Sequence, residues 1–176
     1  MAADFIIRPV SADDAAAVAQ IYRPYVENSA VTFEDVPPDA AEMRRRILAT
    51  TEKYPYLVAV LNGEIIGYVY AGAFKPRIGY RFSVETSIYI KQGFLGHGYG
   101  RALYNELEKE LKKLGIKNVN ACIAFARQPD EHLDNSSRDF HSRLGYTPAG
   151  TFHQCAYKFG TWYDMMWMEK FIAEHD

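Results

Sequence analysis

The segment Leu95-Gly96-His97-Gly98-Tyr99-Gly100-Arg101 stands between a predicted strand and the most regular amphipathic pattern of the chain. Its three alternating glycines let the backbone turn sharply and come close to a ligand, because glycine has no Cβ. A helix that begins here offers free backbone N–H groups and the positive end of its dipole. The segment therefore predicts an anion site suited to a pyrophosphate. A tight strand-to-helix turn without a ligand is the alternative.

Two common phosphate-binding loops do not fit this segment. The nucleoside-triphosphate loop requires Lys and then Ser or Thr after its last glycine, whereas Gly100 is followed by Arg101 and Ala102. The dinucleotide fingerprint requires another glycine spacing and an acidic residue at the end of the next strand, which here reads Cys122-Ile123-Ala124. The sequence therefore disfavours both a nucleoside triphosphate and a nicotinamide dinucleotide.

The helix behind the glycine segment is predicted over residues 98–114, with Gly115 as its C-terminal cap. Glu108 and Lys112 have the i,i+4 spacing of an ion pair on its outer side. Residues at helical spacing predict the inner, apolar stripe, which consists of Tyr99, Leu103, Leu107, Leu111 and Leu114.

The remaining patterns predict a mixed α/β fold. Further helices are expected after Ser11, after Asp39 and over residues 137–144. Strands are predicted at 5–8, 56–61, 65–70, 84–90, 119–123, 147–152 and 162–168. These elements indicate a single domain over residues 1–176, with a mixed, mostly antiparallel sheet and about four helices packed on it.

Composition restricts the function classes. The chain has 176 residues, of which 48% are hydrophobic and 24% charged, as expected of a globular domain. A formal net charge of -2 argues against wholesale binding to nucleic acid or to a membrane surface. The N-terminus lacks the features of a signal peptide, and no apolar run is long enough for a bilayer. Two cysteines, Cys122 and Cys155, are too few for a disulfide scaffold or zinc site, and Cys122 is expected to pack in the core. We expect a cytoplasmic protein without a metal.

The glycine segment resembles the pyrophosphate loop of the GCN5-related N-acetyltransferases, in which Gln or Arg is followed by two residues, Gly, one residue, and Gly or Ala. Gly98 and Gly100 match this pattern, whereas Leu95 stands where the family usually has Gln or Arg. The preceding Ser87-Ile88-Tyr89-Ile90 resembles the strand that the family splays open to pair with the pantetheine arm of acetyl-CoA.

Longer stretches are similar to the phosphinothricin and methionine sulfoximine acetyltransferase branch of this family. They follow the family's order along most of the chain and comprise Thr32-Phe33-Glu34 and residues 66–71, 76–81, 84–90, 140–146 and 157–164. The resemblance implies a sheet with one splayed parallel pair, acetyl-CoA as cosubstrate, no metal, and a homodimer. The segment 127–135 departs from the branch: it is longer, and it places Asp134 or Ser136 where the branch usually has Asn.

The resemblance also implies catalytic roles. Glu85 matches the proposed general base, which removes the proton that makes an ammonium group non-nucleophilic; an ordinary solvated or ion-paired carboxylate is the alternative. His141 stands where the wider superfamily often has a tyrosine that protonates the departing CoA thiolate. A helix histidine bonded to a nearby carbonyl is the other interpretation, and Ser137 is either a CoA contact or a helix cap.

Binding residues follow from the same resemblance. The expected cofactor contacts are Ile88, Tyr89, Ile90, Gly96, His97, Gly98, Tyr99, Gly100, Arg101 and Ser137. The expected substrate contacts are Phe33, Arg77, Ile78, Gly79, Tyr80 and Arg81. Arginine suits an amino-acid substrate because its guanidinium binds a carboxylate or phosphinate through two parallel hydrogen bonds. A solvated basic loop is the alternative.

The resemblance thus implies direct acetyl transfer to the α-amine of a small amino acid or analogue. Two rival functions stay open. The acceptor could be a peptide N-terminus, a lysine or a polyamine, although the basic segment 77–81 disfavours a polyamine. The chain could also be a CoA-binding sensor without catalysis, which the change at Leu95 favours and the presence of Glu85 and His141 disfavours.

Overall fold

The computed structural model describes residues 4–175 as one seven-stranded sheet flanked by four α-helices. The strands are β1 (Phe5–Pro9), β2 (Tyr56–Leu61), β3 (Glu64–Ala73), β4 (Ser83–Ile90), β5 (Asn118–Phe125), β6 (Thr147–Lys158) and β7 (Thr161–Phe171). The helices are α1 (Ala15–Asn28), α2 (Ala40–Thr51), α3 (Tyr99–Lys113) and α4 (Ser136–Arg143). The predicted fold class is confirmed.

The sheet order is β1-β2-β3-β4-β5-β7-β6. Every neighbouring pair is antiparallel except β4 and β5, which run parallel. A parallel connection needs a crossover, and here α3 supplies it. The predicted mostly antiparallel sheet with one parallel pair is therefore confirmed.

Each face of the sheet has its own apolar core. One face packs against α3 through residues such as Leu103, Leu107 and Leu111, which are fully buried. The other face packs against α1 and α2 and holds a cluster of tyrosine rings. The rings belong to Tyr22, Tyr25, Tyr56, Tyr68, Tyr70 and Tyr89. Six of the 13 tyrosines of the chain thus pack together on this face.

Two details of α3 correct the sequence-based expectation. Leu114 is 54% exposed because the helix ends at Lys113, so its side chain leaves the inner stripe. Glu108 does not pair with Lys112; its carboxylate instead accepts a hydrogen bond of 2.6 Å from Lys170 on β7. A partner brought close by the tertiary fold thus replaces the helical neighbour. Gly115, at φ +75°, caps the helix as predicted.

Strand β6 is twice as long as the predicted segment 147–152. The polar residues His153 and Gln154 obscured its second half, which resumes pairing with β7 after an irregularity between Phe152 and Ala156. Gln154 sits at φ +49°, and its backbone N–H donates to the buried Asp164 carboxylate at 2.7 Å. A single buried carboxylate thus holds the bulge in place.

Within residues 4–175, no helix has both the length and the apolar character to span a bilayer. The same part of the chain contains no group of three His, Cys, Asp or Glu side chains arranged to hold a metal ion.

Candidate active site

The parallel strands β4 and β5 pair over only three residues each. The partners are Ser83 with Asn118, Val84 with Val119, and Glu85 with Asn120. Beyond this point β4 stays paired with β3, and β5 stays paired with β7. The two strands therefore separate inside a continuous sheet. We call the gap that begins after Glu85 and Asn120 the β4–β5 opening.

A cavity of about 600 Å³ lies along the β4–β5 opening. Both strands, the glycine segment and α4 line it. It brings together nine of the ten predicted cofactor residues, namely Ile88, Tyr89, Ile90, Gly96, Gly98, Tyr99, Gly100, Arg101 and Ser137. The exception is His97, whose ring lies 6.1 Å from that of Tyr99 and does not line the cavity.

The glycine segment has the backbone that the sequence predicts. Gly96 and Gly98 adopt φ +80° and +86°, which an L side chain rarely tolerates, and Gly98 directly precedes α3. Gly100 is needed for a different reason, because a Cβ there would come within 3.0 Å of the Phe140 ring. The free N–H groups at the start of α3 thus face a cavity that side chains leave open.

Glu85 is the last residue of β4 that pairs with β5, so it stands where the opening begins. Its carboxylate is half-buried and, among residues 4–175, has no hydrogen-bond or salt-bridge partner. Burial raises the pKa of Glu85, and the positive charge of Lys75 offsets part of that shift. A carboxylate with a raised pKa and free lone pairs is suited to accept a proton.

His141 lines the cavity but is only 4% exposed, and both of its ring nitrogens are bonded within the protein. Nδ1 lies 2.8 Å from the Ser137 carbonyl oxygen, which only accepts, so Nδ1 carries the proton. Nε2 then accepts from the Tyr104 hydroxyl at 2.9 Å. Burial lowers the pKa of His141. The imidazole is thus neutral, and donating a proton would require it to exchange one of these bonds.

The predicted substrate residues are not brought to this cavity. Arg77, Ile78, Gly79, Tyr80 and Arg81 form an exposed turn between β3 and β4, with a single 3₁₀ turn over Ile78–Tyr80. Phe33 instead packs against a small apolar cluster that contains Tyr163, at 6.3 Å between ring centroids. Their part in substrate binding stays a prediction.

Sequence reasoning missed three residues, of which Cys122 lines the cavity and Lys75 and Asn135 stand beside it. Lys75, beside the predicted Arg77, places its ammonium over the rings of Phe74 and Trp167 and influences Glu85. Cys122 is exposed at the cavity wall rather than packed in the core, because the strands have already separated where it occurs. Partial desolvation raises the pKa of its thiol to about 12, so it is protonated at neutral pH.

Asn135 is the third residue that was missed. Its side chain accepts from the Ala126 N–H at 2.9 Å and donates to the Ala126 carbonyl at 2.7 Å. These two bonds hold the start of α4 against the end of β5. The sequence offers one indication of this role, since Asn135 stands directly before Ser136 and Ser137 at the start of a predicted helix. The greater length of the segment 127–135 leaves open which residue corresponds to the Asn that the branch usually has.

Comparison with known proteins identifies the fold around this opening. The acetyltransferase (GNAT) domain family model matches residues 7–167. The chain belongs to the GNAT acetyltransferase family. A phosphinothricin N-acetyltransferase of Streptomyces viridochromogenes is 36% identical over 94% of this chain and 87% of its own length. An L-methionine sulfoximine/L-methionine sulfone acetyltransferase of Salmonella typhimurium is 30% identical over 96% of this chain and 95% of its own.

A solved GNAT structure extends the comparison to a bound molecule. The phosphinothricin acetyltransferase of Sinorhizobium meliloti, in complex with acetyl-CoA, superposes with a TM-score of 0.86. It is 37% identical and covers 95% of this chain and 88% of its own. This chain is therefore an acetyltransferase of the GNAT fold, and the β4–β5 opening is the parallel pair that the sequence led us to expect.

Proposed function

We propose that this GNAT domain transfers the acetyl group of acetyl-CoA directly to the α-amine of a small amino acid or amino-acid analogue. Phosphinothricin and methionine sulfoximine are the representative acceptors. The observation that carries the proposal is the similarity, at 30–36% identity over more than nine tenths of the chain, to acetyltransferases named for these two compounds. The Glu85 carboxylate at the β4–β5 opening has no partner within residues 4–175, and this supports a catalytic rather than a sensing role.

The cavity has the features that acetyl-CoA needs. Its polar end is the glycine segment at the N-terminus of α3, where backbone N–H groups and the helix dipole favour a pyrophosphate. Its other walls are the exposed edges of β4 and β5, where backbone groups that are no longer paired can bind a pantetheine arm. Leu95 is 58% exposed and lines the cavity, so its lack of charge leaves the backbone contacts in place.

Glu85 takes the proton from the acceptor's ammonium group, directly or through a water molecule. The thioester supplies an activated acetyl carbonyl, and the neutral amine attacks it. Backbone N–H groups along the opened strand stabilise the negative charge that develops on the carbonyl oxygen. The adduct then loses its second N–H proton as the C–S bond breaks. His141, once Nε2 has released Tyr104, accepts that proton and passes it to the departing CoA thiolate.

The basic turn binds the acceptor's acidic group. Arg77 and Arg81 flank the turn, and Lys75 precedes it and lies near Glu85. A guanidinium holds a carboxylate in two parallel bonds, which would present the α-amine at a fixed distance from that contact. In this proposal Ile78, Gly79, Tyr80 and Phe33 complete the acceptor pocket.

We further propose that the protein is a cytoplasmic homodimer. β6 is an edge strand with mostly exposed side chains, and large apolar residues cluster on it and on β7. The exposed members are Phe152, Tyr157, Trp162 and Phe171, whereas Tyr163 is buried in the core. The free thiols of Cys122 and Cys155 fit a reducing compartment. Light scattering coupled to gel filtration gives the oligomeric state directly.

The test of the acceptor is release of free thiol from acetyl-CoA with a panel of amines. The panel contains phosphinothricin, methionine sulfoximine, plain amino acids, peptides and polyamines. Turnover of the first two with a kcat/KM well above that of the others is expected. Turnover of peptides or polyamines alone would support acetyl transfer but would contradict a small amino acid as the acceptor. Binding of acetyl-CoA without turnover of any amine would favour a sensor.

A further inference from the structure

Two side chains continue the connection between β4 and β5 at the point where their backbone pairing stops. The Thr86 hydroxyl donates to the Asn120 carbonyl oxygen at 3.2 Å, from β4 to β5. The Asn120 side-chain amide donates to the Val84 carbonyl oxygen at 3.1 Å, from β5 to β4. We call these contacts the Thr86 bridge and the Asn120 bridge.

The two bridges lie on opposite faces of the sheet. Successive side chains of a strand point to opposite faces, so Thr86 shares a face with Val84, while Asn120 shares a face with its partner Glu85. Both side chains are buried, at 4% and 8% exposure. The strands are therefore tied above and below the sheet at the very start of the opening.

Each bridge gives a buried side-chain donor, the Thr86 hydroxyl or the Asn120 amide, a carbonyl oxygen on the facing strand. A buried donor without an acceptor is strongly unfavourable, because it has lost its hydration and gained nothing in return. Letting the strands separate further would break both bridges and leave such groups unpaired. The bridges thus fix where the separation begins.

The Thr86 bridge is also tied to the helices beside the cavity. The Thr86 hydroxyl oxygen lies 3.2 Å from the Tyr104 hydroxyl on α3 and 3.5 Å from that of Tyr146. The Tyr104 hydroxyl in turn bonds His141, which bonds the Ser137 carbonyl on α4. A continuous set of buried contacts therefore links the β5 backbone to the helix on the other side of the cavity.

We propose that Thr86 and Asn120 are positioning residues that set the origin and width of the β4–β5 opening, and so place the acetyl carbonyl relative to Glu85. This inference rests on the proposed function. The affinity for acetyl-CoA comes mainly from the glycine segment, which neither bridge touches. Loss of a bridge therefore disturbs the transfer step more than it disturbs binding.

Two substitutions of Thr86 distinguish the effect of its hydroxyl group from the effect of its side-chain shape. Thr86→Val keeps the branched shape and has a high strand propensity, but it removes the hydroxyl. Thr86→Ser keeps the hydroxyl and loses a methyl group. A positioning role predicts that serine retains function and valine does not, whereas a role in packing alone predicts the reverse order.

The test combines turnover, binding and hydrogen exchange on the purified full chain. For Thr86→Val we expect kcat to fall roughly tenfold, with the Kd for acetyl-CoA by calorimetry changing less than about threefold. Peptides covering β4 and β5 should exchange amide hydrogens faster than in the wild type. Thr86→Ser should stay close to wild type in all three readouts, and Thr151→Val on β6 serves as the matched control.

Asn120→Leu breaks the bridge on the other face and should show the same split between kcat and Kd. The proposal would be overturned if Thr86→Val had the same amide exchange rates and the same kcat as the wild type. It would also be overturned if Thr86→Ser and Thr86→Val were impaired equally. If the wild type turned over no amine, the proposed function would fail, and the exchange rates of the valine and serine variants would still decide this inference.

Discussion

Glu85 and Thr86 are neighbours in the sequence, yet they have opposite surroundings. The Glu85 carboxylate is half-buried and has no partner among the described residues, whereas the Thr86 hydroxyl is buried and has three close partners. Strand β4 thus carries a carboxylate that is free to react on one face and a hydrogen-bonded structural hydroxyl on the other. A side chain without a partner and with a shifted pKa is expected to act in the reaction, so its replacement should change the rate of acetyl transfer. A side chain whose hydrogen bonds are all made is expected to maintain the geometry of the strands or the stability of the fold.

Replacing Glu85 should have the largest effect on rate. We expect Glu85→Gln to lower kcat about 100-fold or more at neutral pH, because the general base is lost. Burial raises the pKa of Glu85, so wild-type activity should fall as the pH drops through that raised value and the carboxylate becomes protonated. The deficit of the variant should shrink at alkaline pH, where the amine is already neutral. Profiles of kcat against pH for both proteins measure this, and profiles of equal height would exclude Glu85 as the base.

The glycine segment should affect binding rather than the transfer step. Gly98→Ala places a side chain at φ +86° beside the cavity, and we expect the KM for acetyl-CoA to rise roughly tenfold, equivalent to about 1.4 kcal/mol. Gly93→Ala is the matched control, since Gly93 has φ +90° and equally free space around its Cβ but does not line the cavity. An equal rise in KM for both variants would attribute the effect to backbone strain alone.

Lys158 is a second buried side chain with all of its hydrogen bonds made, and it does not line the β4–β5 opening. Its ammonium donates to the carbonyls of Val26, Ser29 and Thr32, at 2.8, 2.9 and 2.8 Å, and so joins the end of β6 to the end of α1. Lys158→Met leaves these carbonyls without that donor, and we expect the free energy of unfolding in urea to fall by about 2 kcal/mol or more.

The exposed Lys109 provides the control for that measurement. Its ion pair with Glu106 is on the surface of α3, so Lys109→Met should change the unfolding free energy by less than about 0.5 kcal/mol. A change of the same size in both variants would show that the three buried contacts of Lys158 add nothing to stability.

Lys75 should give the smallest effect, a displacement of the pH profile. Its positive charge holds the pKa of Glu85 below the value that burial alone would give. In Lys75→Met the acidic limb of kcat should therefore move to higher pH, because the carboxylate becomes easier to protonate. An acidic limb that stays in place or moves to lower pH would contradict this electrostatic role.

The sequence predicted what depends on local pattern. Leu103, Leu107 and Leu111 of the α3 stripe and the backbone of the glycine segment are encoded in spacings of two to four residues, and they are found where expected, whereas Leu114 leaves the stripe. The parallel pairing of two strands was predicted from the resemblance to a family, because hydrophobic periodicity does not show which strands are neighbours.

Long-range partners could not be predicted in the same way. Glu108 pairs with Lys170, 62 residues away, although Lys112 has the better helical spacing. The Tyr104 partner of His141 and the partners of Thr86 come from other elements, at separations of 18 to 60 residues. Cys122 has the pattern of a core residue and is exposed because two strands part beside it. Such features depend on where elements meet, which one sequence does not specify.

The most direct test of the central claim is to identify the product. Wild-type protein is incubated with acetyl-CoA and methionine sulfoximine, released thiol is counted, and the acetylated amine is quantified and located by mass spectrometry and NMR. The account predicts one α-N-acetylated product for each thiol released. Thiol release without that product, or acetyl-CoA binding with neither, would contradict acetyl transfer at the β4–β5 opening.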